Sequence, residues 1–547
     1  MMNMKKFKFL YILPIALLMT VSCEQEVIIV EPPVIETPTP ITPSKGSADF
    51  TKFVSIGNSF VAGMQGQALF NDGQSNSMPK ILAKQFESVG GSATFNQPDI
   101  NSVNGYNPIS SIPGVITLGR LILFDPDGTG PRTPAPTPAK FPGSSATCPS
   151  AVTTPALPAP YNTADFPGAF AGNKAALNNF GVPLIYLGQT LTPATGGPGV
   201  SGNPAYSPFY ARFASAPSPS GAPGSGSTII GDAKTAAGSF YLIWLGFDDV
   251  LLYAATGADG ASAGTYPMTS QASFNGQFNA AISTLLTGTT FKGVVGNIPN
   301  FTSLPYFYTV PWNTITLDAS TATTLTTNLA TNYNNFLNAM VANNIITVAE
   351  KDKRKLTYAA GKNGVLLTDQ DLTDLEPYMA GAAAGLKPYA RARQATATDL
   401  VPLAAGSVLG TCNGGNAAAI WGVSFPMTDR FILTQSETVA ILTRTAEFNA
   451  SISAAVTASG DRLALADVNK AYADFVTAKA ALVNGVTITP SFAPPTGAFS
   501  EDGLHPNNRG NAFTANVFID AINTKFSAVI PKATLAGYAG TGLPINP

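Results

Sequence analysis

Phe53-Val54-Ser55-Ile56-Gly57-Asn58-Ser59-Phe60-Val61-Ala62 opens as a short apolar run, is cut by a glycine, and resumes as a mixed apolar stretch. That is the pattern of a buried strand turning sharply into a helix. Working outward, runs of the same kind recur at 240–245, at 294–298 with Pro299 after it, and at 463–468. Between them lie helical periodicities. Leu325, Leu329, Tyr333, Phe336, Leu337 and Met340 recur at spacings of three and four, and Thr434-x-x-Glu437 reads as a capping box opening a helix with Ile441, Phe448, Ile452 and Val456 on one side. Strands alternating with long helices predict an α/β fold, a three-layer αβα sandwich built on a central parallel sheet. Residues 125–160 and 192–227 are rich in Pro and Gly without periodicity, and read as long loops or insertions over that sheet.

The 547 residues hold 30 Lys+Arg against 32 Asp+Glu, a formal charge of −2, which argues against nucleic acid as a partner. Charged residues are only 11%, against about 25% in ordinary soluble domains, so Ser, Thr, Asn, Gln and backbone must cover much of the surface. A hydrophobic content of 45% is ample for a large core and excludes wholesale disorder. A polytopic membrane protein is excluded too, because only one long uninterrupted apolar run exists.

That run follows Lys5, Lys6 and Lys8 and covers 9–22, too short for the roughly 20 residues that span a bilayer. It reads as the apolar region of an export signal. Its end, Met19-Thr20-Val21-Ser22-Cys23, resembles a bacterial lipobox in which Cys23 is lipidated and becomes the new N-terminus. An ordinary secretory signal cut near Ser22 is the alternative. The expected organisation is a signal peptide over 1–23, a Pro-rich tether over 24–48 and a single body over 49–547, exported and lipid-anchored to the outer membrane on its periplasmic or cell-surface face. Cys148 and Cys412 then remain as a pair for one disulfide, or as two free thiols.

The chain has one histidine, His505, in Asp502-Gly503-Leu504-His505. A carboxylate three residues before an imidazole can hold its ring N–H and fix the tautomer, which a general base serving a serine requires. A single His also argues against a His-based metal site. The bland alternative is a structural histidine beside a turn. Ser59, on the turn after the first apolar run, sits where open α/β sheets build their sites, or else it merely caps the following helix.

Together, Gly57-Asn58-Ser59-Phe60 and Asp502-Gly503-Leu504-His505 resemble the first and last blocks of the SGNH/GDSL hydrolases, in particular large lipoprotein members with Gly-Asn-Ser in the first block. Asn179-Phe180-Gly181-Val182-Pro183 and Trp244-Leu245-Gly246-Phe247-Asp248-Asp249-Val250 resemble its second and third blocks, with Asn297-Ile298-Pro299 at a strand end and Asn507-x-Arg509-Gly510 leading into the last helix. The likeness runs from about Phe53 to about Pro531. It implies a flavodoxin-like three-layer sandwich in which Ser59 attacks a carbonyl, His505 carries the proton and Asp502 orients His505. No metal or organic cofactor is implied. The oxyanion donors implied are the Ser59 amide, the Leu184 amide and the Asp248 side chain. The last two depart from the family, which has Gly and Asn there. Leu184 can donate its N–H only where positive φ is not required, and Asp248 helps only when protonated.

The expected activity is hydrolysis of an acyl ester on a small molecule, glycan or lipid through an acyl-enzyme. The alternative is a catalytically weak or inactive lipoprotein that binds a glycan or protein at the surface. Tyr306-Phe307-Tyr308 and Tyr206-x-x-Phe209-Tyr210 serve either as sugar platforms or, more simply, as packing. No phosphate-binding Gly-x-x-x-x-Gly-Lys loop is present.

Overall fold

Four apolar runs become strands of one five-stranded parallel sheet in a computed structural model that describes residues 42–106, 119–123, 168–200, 202–219, 225–259 and 266–542. In chain order its elements are β1 (Phe53–Gly57), α1 (Ser59–Ala62), α2 (Met78–Phe86), β2 (Asn179–Gly181) and α3 (Ile229–Thr235). There follow β3 (Phe240–Trp244), α4 (Asp248–Ala255), α5 (Gln271–Leu286) and β4 (Lys292–Gly296). The last are α6 (Gln435–Ala458), β5 (Leu463–Ala466), α7 (Val468–Ala478) and α8 (Asn508–Phe526).

The strand order is β2-β1-β3-β4-β5 with every pairing parallel. β1 and β3 are buried along their whole lengths, which is why they read as near-continuous apolar runs. α8 packs on β5, β4 and α2, whereas α5 packs on α6 and α3, so two sets of helices flank the sheet. This α/β architecture is compatible with a three-layer sandwich. Phe50, Phe53, Phe86 and Phe240 interlock at the base of β1 and β3, with Phe50 and Phe86 stacked 4.4 Å apart.

Gly57 ends β1 because nothing larger fits there: a Cβ would lie 2.2 Å from Val61 Cγ2 and 2.6 Å from the Trp244 carbonyl oxygen. The chain therefore turns tightly into α1 and leaves Ser59 at the carboxyl edge of the sheet. β1 and β3 are also where the strand order reverses, the place at which open α/β sheets form their binding crevices.

The Thr434–Glu437 capping box is present, and Ile441, Phe448, Ile452 and Val456 are buried along α6. The periodicity from Leu325 to Met340 is also helical, but it is split into Ala319–Leu325, a π turn over Thr326–Ala330, and Thr331–Ala342. It belongs to a long insertion between β4 and β5 with two small cores of its own, one around Val365, Leu367 and Val401, the other around Tyr333 and Leu337. The described parts of 192–227 are less irregular than expected. Short helical turns over Pro193–Gly196 and Pro208–Ala211 occur there, because Phe209, Tyr210 and Phe213 join the main core. Within the other aromatic run, Tyr306 and Phe307 are buried and only Tyr308 is partly exposed, so most of these rings pack.

The described residues from Pro43 onward form one compact unit. Residues 1–41, with the export signal, Cys23 and most of the tether, lie outside the described residues, as do Cys148 and the whole of 125–160. Cys412 is disulfide-bonded. Among the described residues no helix is long and apolar enough to cross a membrane.

Candidate active site

Ser59 is the first residue of α1 and is 1% exposed. It does not cap its helix. Asn58 does, accepting the Phe60 N–H on its side chain, and this leaves the Ser59 hydroxyl free for another task. Ser59 Oγ instead accepts the Leu184 N–H at 3.0 Å. The Ser59 N–H, in the unpaired first turn of α1, donates to no backbone group among the described residues.

Leu184 has φ +57, so the condition set from sequence is overturned: the residue takes the left-handed conformation and its N–H still reaches Ser59. A non-glycine residue there costs about 1–2 kcal/mol, which the surroundings must impose. They do so through two adjacent carboxyls at the start of α4. Ile185 N–H donates to Asp248 Oδ2 at 3.0 Å, and Leu187 N–H donates to Asp249 Oδ2 at 2.9 Å. The Thr269 hydroxyl donates to Asp249 Oδ1 at 2.6 Å. The three amides at 184, 185 and 187 are thus fixed against Ser59, Asp248 and Asp249.

Both carboxyls are fully buried, and this sets their protonation. Burial, reinforced by the neighbouring Asp249, pushes Asp248 well above the usual carboxylate range, against the opposing pull of the Ile185 N–H. Burial pushes Asp249 up to about 7, with the Thr269 hydroxyl and Leu187 N–H pulling the other way. Asp248 Oδ1 makes no hydrogen bond among the described residues.

The turn Asp502-Gly503-Leu504-His505 is built around the Asp502 carboxylate. Oδ1 accepts the Leu504 N–H at 2.8 Å, the His505 N–H at 2.9 Å and the Ser500 hydroxyl at 3.0 Å. Oδ2 accepts the Gln67 N–H at 2.7 Å and lies 2.7 Å from His505 Nδ1. Gly503 makes the turn possible, with φ +66 and a Cβ position that would fall 2.8 Å from Tyr306 N. Burial alone would raise Asp502, but the charge and ring N–H of His505, with the His505 and Gln67 amides, outweigh it and hold the carboxyl below its ordinary range. An ionised Asp502 requires the proton on Nδ1, which leaves Nε2 as the acceptor. His505 is 4% exposed, its ring lies 5.1 Å from that of Phe60, and Nε2 has no hydrogen-bond partner among the described residues.

Ser59, Leu184, Asp248 and His505 line one cavity of about 60 Å³. No hydrogen bond joins Ser59 to His505, a contact that in unliganded sites often forms only with substrate. The insertion between β4 and β5 supplies further walls through Tyr306, Arg430 and Phe431. Among the described residues no group of three or more His, Cys, Asp or Glu side chains is placed to hold a metal.

Asp249, Gln67 and Arg430 were not singled out from sequence. Asp249 stood next to Asp248 in a quoted block, and its pairing with Leu187 was the missing half of that signal. Gln67 and Arg430 reach the site only through the folded path of loops, so nothing in their local sequence marks them. Compared with protein-family models, curated proteins and solved structures, the chain has no match in any of the three.

Proposed function

We propose that this protein is a serine hydrolase of the SGNH/GDSL kind that cleaves a short acyl ester. The observation that carries the proposal is the sharing of one cavity by Ser59, with its hydroxyl against the Leu184 amide, and by the only histidine, with its Nδ1 against a buried ionised Asp502. His505 Nε2 takes the Ser59 proton as Oγ attacks the carbonyl carbon, and returns it to the departing alkoxide as the C–O bond breaks. Water then releases the acid by the same path. Asp502 keeps the proton on Nδ1 and stabilises the imidazolium between the two steps.

The amides of Ser59 and Leu184 donate to the oxyanion, and a protonated Asp248, with Oδ2 occupied by Ile185, donates from Oδ1. The cavity volume admits a short acyl group and not a long chain buried within it. Export and lipidation at Cys23 complete the proposal and place the substrate outside the cytoplasm.

Hydrolysis of short-chain nitrophenyl esters by the full chain, compared with Ser59→Ala and His505→Ala, is the test. Turnover abolished by both changes is expected. Turnover that survives either change overturns the assignment.

A further inference from the structure

Arg430 lines the same cavity as Ser59 and His505, near the end of the insertion between β4 and β5. It is only partly exposed. Three buried arginines are tied down: Arg393 binds Asp369 and Asp399, Arg354 binds Glu350, and Arg212 donates to the carbonyls of Gly168, Pro98 and Asp99. Arg430 is different. Its guanidinium, with five N–H donors in a planar fork, makes no hydrogen bond or ion pair among the described residues.

The charges around it sharpen the contrast. Asp429, its chain neighbour, does not pair with it, and one Asp429 carboxyl oxygen is buried without any partner. Burial, together with Glu437, Asp259, Asp369 and Asp371, pushes Asp429 up to about 7. Among the described residues the carboxyl on the cavity wall is Asp248, driven toward its neutral form by burial and by Asp249. Asp502 is spoken for by His505. The cavity wall therefore carries a guanidinium with no ion-pair partner among the described residues. Burial raises the Tyr266 and Tyr306 phenols, and Arg430 pulls both in the other direction, so the guanidinium lies within electrostatic reach of two further cavity residues.

An unpaired guanidinium in a small enclosed space is costly unless an anion completes it, and a planar carboxylate matches its fork with two parallel hydrogen bonds. Resting on the hydrolase assignment above, we propose that Arg430 is the substrate-selecting residue of this site and that the ester cleaved carries a carboxylate a short distance from its acyl carbon. Arg430 holds that carboxylate while Ser59 attacks the carbonyl. It acts on binding, and the bonds made and broken are those of ordinary acyl transfer.

Acetate release from acetoxyacetate, compared with its neutral isostere acetoxyacetamide, tests the proposal in the full chain. The wild-type protein is expected to favour the anionic ester, and Arg430→Gln to lower that preference by about 10–100-fold, mostly through KM, as loss of a charge-assisted pair predicts. Arg430→Lys is expected to recover part of it. A preference unchanged in Arg430→Gln, or absent from the wild type, overturns the proposal. A second arm keeps it separate from the hydrolase assignment: acetoxyacetate binding to Ser59→Ala, which does not consume it, is measured by calorimetry with and without Arg430→Gln. Binding weakened about tenfold or more by the second change supports the anion site even in a protein without turnover, and binding indifferent to it sinks the site. Failure of both esters to react, with no covalent labelling of Ser59, sinks the hydrolase assignment alone.

Discussion

Asp248→Asn separates a working acid from a misplaced charge. Asp248 lines the same cavity as Ser59, with Oδ2 held by the Ile185 N–H at 3.0 Å. An asparagine keeps that acceptor with its own carbonyl oxygen and offers an NH2 in place of the Oδ1 hydroxyl, so the substitution preserves shape and donor. Losing one oxyanion donor costs about 10²–10³ in rate. Burial and Asp249 raise Asp248, so at acid pH the proton is present, the donor is in place, and Asp248→Asn is expected to match the wild type within about threefold in kcat/KM. As pH rises through the raised pKa, the proton leaves and a donor becomes a negative charge facing a developing oxyanion. The ratio of variant to wild type then climbs toward 10²–10³. Taking the ratio cancels any pH dependence that the two proteins share.

Stability follows the same sign. The folded state holds a proton on Asp248 that the unfolded chain gives up near pH 3.9, so wild-type stability falls with rising pH from there through the raised folded value. The asparagine variant lacks that component. Initial rates on a short-chain ester across the stable pH range, with urea midpoints at the same points, check both. A variant already 10²-fold faster at pH 5, or a ratio flat at 10² or more across the whole range, refutes a protonated Asp248.

Two further substitutions probe the neighbouring parts. Asp502→Asn puts an amide NH2 either against the Gln67 N–H and His505 Nδ1, which share Oδ2, or against the Leu504 and His505 amides on Oδ1, so it is expected to cost about 1–3 kcal/mol of stability for a buried donor left unpaired and, in the first orientation, about 10⁴ in kcat through the wrong tautomer; urea unfolding and ester kinetics read the two effects separately. Gly57→Ala forces a Cβ into Val61 and the Trp244 carbonyl, and is expected to destabilise by about 3 kcal/mol in urea denaturation while displacing Ser59.

How much of this was legible in the sequence depended on how local the cause was. β1, β3, β4 and β5 show as apolar runs because a central parallel sheet buries both faces of its strands. β2 does not, because three residues, Asn179-Phe180-Gly181, are too few for a pattern, and its asparagine is satisfied by pairing with Ser55 and Gln97. The Asp502–His505 contact follows from a three-residue spacing in a tight turn and was readable. So was the capping box of α6.

Assigning the cap of α1 was harder, since Asn58 and Ser59 are both good cap residues and only the backbone decides between them. Leu184 was misjudged for a comparable reason. Its left-handed conformation goes with the bonds that its neighbours Ile185 and Leu187 make to Asp248 and Asp249 at another strand end, which no local rule contains. Arg430 was invisible altogether. The role proposed for it rests on its having no partner among the described residues, a property of the folded insertion and not of any motif.

The most direct test of the central claim is intact-mass and peptide mapping of the full chain after reaction with a serine-directed phosphonate. A single adduct on Ser59, lost in His505→Ala and strongly slowed in Asp502→Asn, is the expected result. A wild-type protein that remains unlabelled at Ser59, or that is labelled equally well without His505, contradicts it.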